Sequence, residues 1–164
     1  MGLESNQITL NAMHTTVVTT RKDGSHTDYA IRVVSKRSGK EEIVYRRFSA
    51  FLQLQQLAQR LFHEKRFCCG SDGNCLLVTY LEAIFYTMQF PKLQGTVLGK
   101  NSKHVVRDRI FLLNTFLLQL ETALNKIPPV TMDQCEKQRC KLVKLIKSFY
   151  GCLETNRKEH ANSL

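Results

Sequence analysis

Residues 45–51 read Tyr-Arg-Arg-Phe-Ser-Ala-Phe. Upstream, Glu42 to Arg47 carries Ile43 and Tyr45 on one side and Val44 on the other, the two-residue alternation of a strand. Downstream, Phe51, Leu54, Leu57, Ala58 and Leu61 recur at helical spacing, with glutamines between them. The heptapeptide is therefore the junction at which the chain changes from strand to helix. Two permanent positive charges stand at that junction with an aromatic ring directly behind them. In an extended chain neighbouring side chains face opposite ways, so Arg46 and Arg47 do not both point at one ligand. Arg47 shares its face with Ile43 and Tyr45, and Arg46 with Val44.

Before the junction the chain reads as a meander. Residues 7–20 are rich in Thr, Val and Ile and predict a strand. Lys22-Asp23-Gly24-Ser25 predicts a hairpin turn, because Asp and Gly tolerate positive φ. Tyr29 to Val34 predicts a second strand, with Tyr29, Ile31 and Val33 on one face. Arg37-Ser38-Gly39-Lys40 predicts the next turn, and Glu42 to Arg47 the third strand. After the junction the pattern is helical. The first helix, with Ser49 as its N-cap, is expected to reach about Lys65. Leu77, Leu81, Ile84 and Met88 mark a second, which ends before Pro91. Ser102 caps a third with the stripe Val106, Ile110, Leu113, Leu117, Leu120 and Leu124, stopped by Ile127-Pro128-Pro129. Thr131 and Gln134 form a capping box for a fourth, which carries Cys135, Leu142, Ile146 and Phe149 inward. Strands first and helices after is an α+β arrangement: a three-stranded antiparallel meander packed against about four helices. The domain is expected to span residues 7–150, followed by a polar tail over 151–164.

A length of 164 residues suits one domain, and 43% hydrophobic content supports a buried core. Lys and Arg number 24 against 14 Asp and Glu, a formal charge of +10. That excess favours an anionic partner, either nucleic acid or an anionic membrane. No run reaches the ~18 apolar residues that span a bilayer. The N-terminal MGLESNQITL lacks the basic and apolar regions of a secretory leader, and its Ser5-Asn6 misses the myristoylation spacing by one position. The expectation is a cytoplasmic chain with six reduced cysteines.

Three cationic features could carry chemistry. Arg47 offers a planar fork of donors that matches phosphate oxygens, and Phe48 beside it offers a face for a flat apolar ligand surface. Lys92 follows Phe90-Pro91 into an irregular, Gly-containing segment. Arg109 stands near the start of the third helix, next to the apolar stripe, where the helix dipole favours anions. Arg107 lies further round and is expected in solvent. Taken alone, Arg-Arg-Phe is more often a solvated strand end than a site.

The order of these features resembles the phox-homology (PX) domain. The resemblance rests on a three-stranded meander, Arg46-Arg47-Phe48-Ser49-x-Phe51, a helix, Phe90-Pro91-Lys92, a Gly-containing loop, and Arg107-Asp108-Arg109 ahead of Leu113-x-x-Phe116-Leu117. It covers roughly residues 7–150. It implies a non-catalytic, cofactor-free module that recognises phosphatidylinositol 3-phosphate on endosomal or other phosphoinositide-bearing membranes. By the same resemblance Arg47 contacts the 3-phosphate, Phe48 packs under the inositol ring, Lys92 meets the 1-phosphate region and Arg109 clamps the 4- and 5-hydroxyls. Lys100 and Lys103 compete with Lys92 for the lysine role. Val97 and Leu98, with Lys100 and Lys103, are expected to meet the bilayer. Phe48 stands where the family more often has tyrosine, and the segment from His63 to Gln89 is longer than the family's connection. Two other readings stay open: a protein-interaction module on the same fold, and a nucleic-acid binder. The second is disfavoured because the aromatics fall on apolar stripes rather than among the basic residues.

His63, Cys68, Cys69 and Cys75 lack the paired spacing of a zinc site, so no metal is expected. Cys135, Cys140 and Cys152 are expected to pack in or beside the helical core. No Walker loop, dinucleotide fingerprint or nucleophile signature is present in the sequence.

Overall fold

The computed structural model describes residues 8–64, 75–90 and 102–152. After a single 3₁₀ turn at Leu10–Ala12, the chain forms β1 (Met13–Asp23), β2 (His26–Ser35) and β3 (Glu41–Arg47), paired antiparallel in the order β1-β2-β3. Five helices follow: α1 (Phe48–Glu64), α2 (Leu76–Thr87), α3 (Lys103–Lys126), α4 (Pro129–Lys137) and α5 (Lys141–Phe149). The expected α+β meander with a helical layer is present.

Several boundaries differ from expectation for physical reasons. The first strand begins at Met13, not residue 7, and runs on to Asp23, so the hairpin loop is Gly24-Ser25 between the paired Asp23 and His26. Gly24 takes φ 59°, the left-handed conformation that a two-residue hairpin demands. α1 starts at Phe48 without a break after β3, which puts Ser49 inside the first turn rather than at the cap. Ser102 does cap α3, accepting the Val105 N–H at 3.3 Å.

The expected fourth helix is two helices. It opens at Pro129, not after Thr131, because proline at the first helical position loses a donor that would be unmet anyway. It breaks at Arg139, which adopts φ 56°. The Cys140 N–H reaches the Cys135 carbonyl at 2.9 Å and the Arg139 N–H reaches that of Glu136 at 3.0 Å, a Schellman closure. The same closure ends α5, but there Gly151 holds the left-handed position at φ 74°. A β-carbon on Gly151 would also come within 3.2 Å of Val44. Arg139 has a side chain where the geometry prefers none, so Arg139→Gly is expected to raise stability by about 0.5–1 kcal/mol in urea unfolding.

The core lies between the inner face of the sheet and the helices. Tyr29, Ile31 and Val33 of β2 are fully buried, as the alternation predicts. Phe116 of α3 is the hub of an aromatic cluster, with ring centroids 6.3 Å from Phe51, 6.1 Å from Phe85 and 5.3 Å from Phe90. Phe62 is buried where the sequence had suggested Leu61, and Phe85 where it had suggested Ile84; both expected residues are only partly buried. Two of the glutamines of α1 are used structurally. Gln59 donates to the Phe85 carbonyl at 2.8 Å, and Gln55 donates to those of Phe85 and Met88, closing the C-terminal end of α2.

β1 is an edge strand, and an open edge is a site for unwanted pairing. Here α3 covers it with side chains. Asn114 accepts the Val17 N–H at 2.7 Å, and the buried Glu121 accepts the Thr15 N–H at 3.2 Å. Glu121 also lies 2.7 Å from Nδ1 of His14 and 3.6 Å from Nζ of Lys36. These contacts fix the position of α3, and with it Arg109, relative to the sheet.

Candidate functional site

The site is built at the end of the sheet where β3 passes into α1. Strand pairing sets Arg46 opposite Tyr29 and Arg47 opposite Asp28, so the two arginines face opposite sides, as alternation requires. Arg46 is structural. Its Nε donates to the Phe149 carbonyl at 2.9 Å, its Nη2 to that of Ser148 at 3.2 Å and its Nη1 to that of Tyr45 at 2.9 Å. The first two are acceptors at the C-terminal end of α5, where the helix leaves carbonyls unmet and favours a cation.

Arg47 lies on the outer face with its side chain 48% exposed, 3.8 Å from the Asp28 carboxylate. Asp28 is shared: its other oxygen lies 3.2 Å from Arg21, whose guanidinium sits 3.7 Å above the Tyr45 ring. The Asp28 side chain is only 11% exposed, with two arginines beside one carboxylate. The Arg47 contact is the longer of the two.

Arg109 lies on the inner side. It is 8% exposed, and its guanidinium stacks 4.3 Å from the Phe48 ring centroid. That distance is within cation–π range. Phe48 in turn meets Phe90 edge-on at 6.0 Å. Phe90 immediately precedes the Pro91-Lys92 pair in sequence. Arg107 is exposed, as expected, and Lys103 is an exposed first residue of α3. Lys92, Val97, Leu98 and Lys100 lie outside the described residues, as do Cys68 and Cys69 of the sequence's weak metal pattern.

The structure thus brings Phe48 and Arg109 into contact, although 61 positions separate them in the sequence. It sets Arg47 one residue away, around the end of the strand. Sequence reasoning missed two participants. Asp28 is the counter-ion of Arg47, and it could have been found by counting the register back from Gly24-Ser25, which puts Arg21 opposite Asp28. Tyr29 is the other. Its pKa is raised from the usual 10 by burial, and the hydrogen-bonding and charge of Arg109 oppose that rise.

Tyr150 is also buried, and burial pushes its phenol well above the ordinary range; the nearby Thr15 opposes this, and the charges of Glu121 and Cys152 add to it. The Cys152 thiol is pushed up to about 11, chiefly by burial. Folded-state pKa values above the unfolded ones mean stability that is complete below the unfolded values and lost as pH rises through the folded ones. Urea unfolding should therefore show declining stability between about pH 9 and about pH 12. Absorbance at the phenolate band should show Tyr29 and Tyr150 ionising above the ordinary phenol range.

A separate groove of about 600 Å³ runs between α2 and α3, lined by Tyr80, Ala83, Ile84, Leu118, Thr122 and Lys126 among others. It shares no residue with the arginine corner, and among the described residues Lys126 is the one charged side chain in its lining. Among the described residues no helix is long and apolar enough to cross a membrane. The chain matches no model of a known protein family and no curated protein.

Proposed function

We propose that this chain is a phosphoinositide-binding, membrane-targeting module of the phox-homology type, whose ligand is phosphatidylinositol 3-phosphate. The observation that carries the reading is the stacking of the buried Arg109 on Phe48, the residue that follows Arg47 at the strand-to-helix junction. An inositol headgroup presents a ring with polar edges and a phosphate of about −1.5 to −2 charge by analogy with phosphoserine. The aromatic ring suits the former, and guanidinium groups suit both the hydroxyls and the phosphate.

Asp28 gives the site a resting state. Without ligand it holds Arg47 on the outer face through a loose, half-exposed ion pair, of a kind that contributes about 0–1 kcal/mol. A phosphate dianion offers the guanidinium a stronger, bidentate partner, so Arg47 changes partner at small cost. The net charge of +10 draws the chain to an anionic leaflet over distances set by ionic strength. Lys92, Lys100 or Lys103 would add a further cation, and Val97 and Leu98 the apolar contact with the bilayer. Endosomal membranes, which carry this lipid, would be the place of action.

Vesicle co-sedimentation across the phosphoinositide series tests the reading. Wild type should sediment with vesicles containing phosphatidylinositol 3-phosphate and not with vesicles of phosphatidylinositol alone. Indifference to every phosphoinositide, or salt-sensitive binding to DNA with none to lipid, would overturn it.

A further inference from the structure

None of the four described cysteines is in a disulfide, yet two of them meet. The Sγ atoms of Cys75 and Cys140 lie 3.9 Å apart across 65 residues of sequence. Each is the N-cap of a helix, Cys75 of α2 and Cys140 of α5. The contact therefore joins two helix starts that the chain reaches by different routes. The Schellman closure at Arg139 aims Cys140: its N–H is tied to the Cys135 carbonyl, which turns the chain sharply and sets residue 140 at the head of α5. Burial differs between the two, with Cys140 at 0% and Cys75 at 7% exposure. A small oxidant reaches Cys75 first.

We propose that Cys75 and Cys140 form an oxidisable dithiol, a modification site at which a peroxide converts two thiols to a disulfide. The chemistry balances without any group from the protein beyond the two sulfurs. The Cys75 sulfur attacks one peroxide oxygen, the O–O bond breaks, and Cys75 becomes a sulfenic acid as the first water leaves. The Cys140 sulfur then attacks the Cys75 sulfur, the S–O bond breaks, and a second water leaves with the remaining thiol proton. Two electrons pass from the thiol pair to the peroxide. A disulfide has its sulfurs at about 2.05 Å, so the two caps close by about 2 Å. Each thiol sits at the N-cap of a helix and can move without unwinding the interior of either. The bond would staple α2 to α5 and enclose α3 within a long loop, and long loops gain the most from a cross-link. Cys152 is a poor competitor because burial holds its thiol up at about 11.

The test uses the full folded chain treated with hydrogen peroxide. Peptide mapping should recover the Cys75 and Cys140 peptides joined, with the loss of two hydrogens, and dithiothreitol should separate them. The heat-unfolding midpoint should rise by about 5–15 °C on oxidation and return on reduction. Cys140→Ser should show no rise and should stop at a sulfenic acid on Cys75 that dimedone traps. Cys152→Ser should retain the full rise. Recovery of Cys75 and Cys140 as unmodified thiols while other cysteines oxidise would overturn the proposal, as would a bond from Cys75 to Cys68 or Cys69.

Discussion

Arg47→Ala is expected to lower affinity for vesicles carrying phosphatidylinositol 3-phosphate by about 30- to 1,000-fold. It should leave the unfolding midpoint within about 2 °C of wild type. The two halves of this expectation come from the same geometry. Half of the Arg47 side chain is in solvent, and its ion pair with Asp28 is 3.8 Å long, so the fold loses little. A bidentate phosphate contact is worth more, about 2–4 kcal/mol when one partner is truncated. Arg46→Ala supplies the contrast. Its guanidinium holds the end of α5, so its loss should lower stability while the headgroup contacts remain. Equal sedimentation by Arg47→Ala and wild type would remove Arg47 from the site.

Phe116→Ala is the substitution expected to damage the fold most. Its ring is fully buried and meets those of Phe51, Phe85 and Phe90, joining α1, α2 and the segment leading to Pro91. Truncating a buried phenylalanine costs about 3–5 kcal/mol, from lost transfer energy and the cavity left behind. For a domain of this size that corresponds to a midpoint lower by roughly 6–20 °C. Phe90 and Phe48 are successive neighbours of that ring, so headgroup binding should weaken as well. A midpoint within about 2 °C of wild type would show that the cluster collapses to fill the space.

The strands, their faces and the opposite orientation of Arg46 and Arg47 were legible because alternation and two glycine turns fix them. The buried stripe of α3 was legible from helical spacing. The break between α4 and α5 was not, because Arg139 holds a conformation that sequence patterns assign to glycine. The pairing of Arg109 with Phe48 was not legible, since periodicity says which way a side chain faces and not what it meets. Asp28 is legible only once its cross-strand neighbours are counted, because an acidic residue in a strand otherwise reads as surface. The Cys75–Cys140 contact depends on how α2 and α5 pack, which no local pattern encodes.

The central question is where the proposed headgroup binds. An amide-resolved NMR titration of the full chain with soluble, short-chain phosphatidylinositol 3-phosphate would decide it. Saturable shifts are expected at Arg47, Phe48 and Arg109, with Asp28 following as its partner leaves, and none in the groove lined by Tyr80 and Leu118. Shifts confined to that groove, or none at all at the arginine corner, would contradict the account.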